Sequence, residues 1–121
     1  MDDTAFRFGV LNIGIGVLLI LLSLPLWMKL IPMNPIYGLR FGRATRSVDD
    51  WYAVNHYGAR QFIRCSMGIL ACGVIYLFVP FDSLYQPQTV YDNLFVAAAI
   101  CPMFLCSTIA LIRTGIYASK D

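Results

Sequence analysis

The chain has 121 residues, of which 59% are hydrophobic and 13% charged, against about a quarter charged in soluble domains, and its formal net charge is only +2. That balance excludes an ordinary water-soluble domain and gives no basis for a nucleic-acid partner, and the length allows one domain, residues 1–121. The composition is that of an all-α membrane protein whose surroundings are lipid.

The first apolar run, about residues 10–30, is long enough for a hydrocarbon core that needs roughly 20 apolar residues. Asp2 and Asp3 stand where a signal peptide carries basic residues, and the run exceeds an h-region, so it reads as a retained helix. Gly9, Asn12, Gly16 and Ser23 share one face, small and polar, that is expected to pack on another helix. Asn12 is a polar amide at membrane depth: either a functional group, or one side of an interhelical hydrogen bond. Pro25 predicts a kink, with Trp27 and Lys29 at the interface beyond it.

The stretch from Asn34 to Arg60 is the only long one suited to water. Asn34-Pro35 and Gly38 read as turns, and a helix is predicted to start at Ser47, with Asp50 completing a capping box and Asp49 also favouring the helix's positive end. Trp51, Asn55, Gly58 and Phe62 follow on one face. This segment is expected to be a short interfacial helix that either bends near Gly58 or continues into the second span.

The second span, about residues 62–79, carries a small-residue seam of Cys65, Gly68, Cys72 and Tyr76 and ends at Pro80. The connection from Phe81 to Asn93 holds Asp82 and Asp92 but no basic residue, with Tyr85 and Tyr91 suited to an interface. The third span, about residues 94–112, contains Ala97, Ala98, Ala99, Pro102, Ser107 and Thr108, and Pro102 predicts a second kink. Lys29, Arg40, Arg43, Arg46, Arg60 and Arg64 flank or lie in the first loop, Arg113 and Lys120 follow the third span, and Arg7 alone is on the other side. The positive-inside rule therefore puts the loop and C-terminus in the cytoplasm and the N-terminus outside. Three transmembrane helices, a cytoplasmic loop and a short interfacial helix between the first and second make up the predicted architecture.

Cys65, Cys72, Cys101 and Cys106 lie in apolar runs and read as small hydrophobes, without a disulfide; with His56 far from them, no metal site is expected. The chain has no GxSxG, HExxH or glycine-rich phosphate loop, so neither an enzyme nor a cofactor is expected. His56 reads either as a pH-sensitive group or as a merely polar one.

The order Pro32-x-Asn34, Tyr37-Gly38-x-Arg40, Ser47, Trp51, Asn55, Gly58-x-Arg60 resembles the signature loop of the SdpI-like family of bacterial toxin-immunity membrane proteins. Trp51 lies eleven positions after Arg40 and Asn55 four after that, and the three-span layout covers nearly the whole chain. Where that family often has Arg-Thr-Pro and Asn-Arg, this chain has Arg40-Phe41-Gly42 and Asn55-His56. The resemblance implies a multi-pass protein of the bacterial cytoplasmic membrane that protects its cell from a secreted, membrane-disrupting peptide toxin. It also implies as partners the toxin or its membrane target, and a cytoplasmic transcriptional repressor held at the membrane in signalling. The site residues implied are Asn34, Tyr37, Gly38, Arg40, Ser47, Trp51, Asn55 and Gly58.

Each has a plainer reading beside it. Arg40 either forks onto a partner carboxylate or meets lipid phosphate or the Asp49/Asp50 helix start. Trp51 either pins the loop or is an interfacial anchor, and Asn34 forms a turn. The competing function is a small regulatory or structural subunit that holds a partner through the basic loop, and small-residue seams on three thin spans also suit a homo-oligomer. A channel or transporter is disfavoured, because no charged residue falls well within the spans.

Overall fold

Three long helices carry the fold in a computed structural model that describes residues 3–78 and 89–120, with side chains described for 6–78 and 100–120. Helix α1 (Asp3–Trp27), helix α2 (Val48–Phe78) and helix α3 (Thr89–Ser119) are each long and apolar enough to cross a membrane, and a 3-10 turn, Gly42–Thr45, lies in the loop between the first two. Helix α2 is central. Helices α1 and α3 pack on it, α1 more extensively, and barely meet one another.

The predicted small face of α1 is the packing face: Gly9, Asn12, Gly16 and Ser23 are all buried. Its closest approach pairs two glycines, since a Cβ on Gly9 would lie 3.1 Å from the Gly73 carbonyl and one on Gly73 would lie 3.0 Å from the Gly9 carbonyl. Gly16 repeats the arrangement one contact further along, where a Cβ would meet Leu70 at 2.7 Å and the Ser66 carbonyl at 3.3 Å. Lipid tails offer no hydrophobic penalty to drive helices together, so contact this close, won by removing side chains, is what holds the pair.

The expected seam on α2 is corrected. Gly68 is exposed, and a Cβ there would have nothing within 4 Å. Two other faces do the packing: Ser66 and Gly73 toward α1, and Cys65 with Ile69 in a cluster completed by Met103 and flanked by Cys106 of α3. All four thiols are free.

Helix α1 passes through Pro25 and stops two residues later, short of the predicted Leu30. The Leu30 amide donates to the Pro25 carbonyl at 2.9 Å and the Lys29 amide to Leu26 at 3.2 Å, with Lys29 at φ 58°, which is a Schellman ending with lysine where glycine is usual. A left-handed side-chain residue costs about 1 kcal/mol. Lys29→Gly is therefore expected to stabilise the fold by about that amount, read as a higher midpoint in thermal unfolding in detergent; an unchanged or lower midpoint would count against the cap.

The helix at Ser47 is not a separate interfacial element. It is the first part of α2, which runs unbroken through Gly58 for 31 residues, about 46 Å at 1.5 Å per residue against a hydrocarbon core of about 30 Å. The excess leaves its first turns outside the core. Helix α3 begins at Thr89 rather than 94 and continues to Ser119 rather than 112, so Tyr91, Asp92 and Asn93 belong to it. Pro80, Asp82 and Tyr85 lie outside the described residues.

Candidate functional site

The loop is fastened to the bundle by side chains acting as backbone substitutes. At its start, Asn34 Oδ1 accepts from the Ile36 and Tyr37 amides at 2.9 and 2.6 Å, while Nδ2 donates to the Pro32 and Tyr37 carbonyls at 2.8 and 2.9 Å. Every donor and acceptor of the amide is used, so Asn34 is a turn former, as expected. Arg40 donates to the Asn34 carbonyl and is otherwise exposed.

Asn55 clamps the other end of the segment. Its Oδ1 accepts the Leu39 amide at 2.6 Å and its Nδ2 donates to the Leu39 carbonyl at 3.1 Å and the Trp51 carbonyl at 3.0 Å, imitating one rung of a strand pair from the side of a helix. Asn55 is 2% exposed. Gly38 leads into this rung with φ 124°, and a Cβ there would strike the Trp51 ring at 2.8 Å and Asn55 Oδ1 at 3.0 Å. Only glycine meets both the backbone angle and the space.

Trp51 is not an interfacial anchor. It is fully buried beneath the loop and its Nε1 donates to the Ile31 carbonyl at 3.0 Å. The aromatic group at the exposed rim is Trp27, whose ring stacks on His56 at 6.0 Å between centroids and 16° between planes. His56 Nδ1 lies 2.6 Å from the Trp27 carbonyl; a carbonyl only accepts, so Nδ1 carries the proton. Burial pushes the Tyr37 phenol above its ordinary range, and its hydroxyl donates to the Leu22 carbonyl. Tyr37, His56 and Trp51 thus donate to three carbonyls of the α1 end region: Trp27 in the last turn, where helix geometry leaves acceptors without partners, Leu22 a turn earlier, and Ile31 beyond the helix.

Ser47 caps α2 as predicted: the Asp50 amide donates to its Oγ at 3.1 Å, and its hydroxyl donates to Asp50 Oδ2 at 3.1 Å. The arginine that reaches this helix start is Arg43, not Arg40. Arg43 lies 3.6 Å from Asp50 Oδ1 and 4.9 Å above the Tyr117 ring, which in turn stacks on Tyr57 at 4.2 Å.

Gly58 lies at the foot of the loop, where an added Cβ would overlap Leu39 and meet Thr114 Cγ2 at 2.9 Å. The loop therefore closes onto α2 and α3 together. A sequence reading that ended the third span at 112 had no place for Thr114, Tyr117 and Ala118. Their spacing of three and four residues continues one helical face past Arg113, and that was the available signal.

Asn12 stands apart from the loop. It is fully buried, its Nδ2 donates to the Phe8 carbonyl of its own helix at 2.8 Å, and its Oδ1 has no partner among the described residues. Among the described residues it makes no interhelical hydrogen bond.

Seven of the eight loop residues are thus taken up in turns, caps or packing, while Arg40, tied to the Asn34 carbonyl, stays exposed. Between loop and bundle a groove of about 220 Å³ remains, walled by Leu19, Leu22 and Leu26 of α1, Tyr37 and Leu39 of the loop, and Phe62 of α2. Its loop rim carries Ile36, 92% exposed, directly before Tyr37, and the exposed Arg40 directly after Leu39. Among the described residues no group of three or more metal-ligating side chains converges. Compared with protein-family models, curated proteins and solved structures, the chain matches none.

Proposed function

We propose that this is a membrane immunity protein of the bacterial cytoplasmic membrane, protecting its cell against a secreted, membrane-active peptide toxin, with the toxin met at the loop. The reading rests on the resemblance of the loop to the SdpI-like signature. The observation that carries it is the convergence of Asn34, Tyr37, Gly38, Trp51, Asn55 and Gly58 on one locked fold, which leaves Arg40 and Ile36 outward beside an apolar groove. A peptide that disrupts bilayers brings apolar side chains at membrane depth, and the groove with its cationic rim is complementary to an apolar segment ending in a carboxylate. The loop and C-terminus face the cytoplasm and the N-terminus the outside, on the distribution of basic residues, so the toxin meets the groove from within the bilayer.

The outward pair Ile36 and Arg40 equally suits a second reading, in which the loop holds a membrane or cytoplasmic partner such as a repressor. Survival separates the two. Sensitive cells producing the protein should survive an Sdp-type toxin, and Arg40→Ala at equal membrane abundance should lower protection roughly tenfold, about what one charge-assisted hydrogen bond is worth. Arg60→Ala, an equal loss of charge away from the rim, should protect as the parent does. No protection by the parent protein rejects immunity; a constant stoichiometric partner purified in gentle detergent without toxin establishes the second reading.

A further inference from the structure

On the opposite side of α2 from the loop groove, α2 and α3 part to leave a second opening of about 200 Å³. Its polar wall is Gln61, Arg64 and Arg113; Cys65, Cys106, Ile109 and Ala110 form an apolar floor. Gln61 and Arg64 sit three apart on α2, and Arg113 faces them from the antiparallel α3, so two guanidinium groups flank one amide.

None of these three side chains has an ion pair or hydrogen bond among the described residues. For the arginines this reflects a lack of acid. Asp50 is fourteen residues before Arg64 on the same helix, about 21 Å along the axis, and is already engaged by Arg43. Gln61 is the stronger observation: it is 6% exposed, yet its amide lines the opening with no partner. The residue is buried but its amide atoms stay accessible from the opening, so they are free to bond a ligand there.

The level of the opening in the bundle selects the ligand. One turn toward the loop lie the Tyr57/Tyr117 stack and the Gly58/Thr114 contact, and deeper lies the Cys65/Met103 core. The arginines therefore sit where charged groups leave the hydrocarbon, and the exposed Ile109 and Leu105 run from them toward the bilayer centre on one face of α3. The volume is below the about 300–1,000 Å³ of pockets that enclose a drug-sized molecule, so it takes a headgroup and leaves the tails in lipid. We infer that this α2–α3 opening binds the phosphate of an anionic phospholipid, held by the forks of Arg64 and Arg113 and a hydrogen bond from the Gln61 amide, with an acyl chain along Leu105 and Ile109. The inference is independent of toxin immunity and holds for either orientation of the chain.

The test uses the full chain in neutral phosphatidylcholine nanodiscs doped with phosphatidylglycerol, with bound lipid counted by native mass spectrometry after release. One phosphatidylglycerol per protomer is expected to persist. Arg64→Gln with Arg113→Gln should weaken retention at least tenfold, Gln61→Leu several-fold at unchanged charge, and Arg64→Lys by an intermediate amount, because an ammonium keeps the charge without the fork. Arg60→Gln, one turn away outside the opening, should retain lipid as the parent does. Arg64 is exposed, so Arg64→Gln alone decides the matter if the double variant does not fold. An equal loss in Arg60→Gln, equal retention of phosphatidylcholine, or displacement of the lipid by millimolar inorganic phosphate alone would each overturn the assignment, the last in favour of a soluble anion.

Discussion

Trp51→Ala is expected to destabilise the protein by about 3–5 kcal/mol, the usual cost of deleting a buried indole. The indole is fully buried under the loop, forms a wall that excludes any side chain at position 38, and supplies the only described donor to the Ile31 carbonyl. Its loss should therefore be felt in the loop before the spans. Thermal unfolding in mild detergent should show a lower midpoint, and limited proteolysis should cut residues 28–47 while helix content stays near the parent's. Trp51→Phe keeps most of the volume and forfeits the hydrogen bond, so about 1 kcal/mol is expected. A parental midpoint for Trp51→Ala would show that the indole is not the keystone described above.

Asn55→Leu, nearly equal in volume, should cost about 2 kcal/mol or more, because it strands two part-buried backbone groups of Leu39, each worth about 1 kcal/mol or more. The Trp51 carbonyl suffers less, since the helix ladder still serves it. The sharper readout is local: hydrogen exchange at the Leu39 amide should accelerate by orders of magnitude, while amides deep in α2 stay protected. Asn55→Asp retains an acceptor for the Leu39 amide but turns an oxygen toward the Leu39 carbonyl, so it should also destabilise. Unchanged exchange at Leu39 in both variants would mean that the rung seen between helix and loop does not hold in the membrane.

Much of the fold was legible because it follows local rules. The Ser47 cap, the Asn34 turn and the small face of α1 each depend on a few neighbouring residues whose chemistry has one economical use. Misreadings came where one residue type suits two environments. An indole fits a membrane interface and a dry socket equally well, and only the Ile31 carbonyl above Trp51 decides between them. On α2 the periodic pattern overlays two packed faces, Ser66 with Gly73 against α1 and Cys65 with Ile69 against both α1 and α3, so Cys65, Gly68, Cys72 and Tyr76 read as one seam although Gly68 faces outward. At Gly58 the sequence left a bend and a continuous helix both open; the helix continues, and the missing side chain makes room for Leu39 and Thr114. Arg113 looked like the exit from the membrane, which hid the last two turns of α3 and with them the stack on Tyr57.

The division of labour among the helices also orders the birth of the molecule. The described hydrogen bonds that fasten the loop join residues between Leu22 and His56, and the glycine pairing that seals α1 to α2 is complete by Leu77. Helix α3 contributes to none of these and scarcely touches α1. A hairpin of α1, loop and α2 can therefore close while α3 is still being synthesised. The last contacts made, Tyr117 on Tyr57 and Ala118 against Gly42, then latch the C-terminal turn of the chain over a loop that has already set.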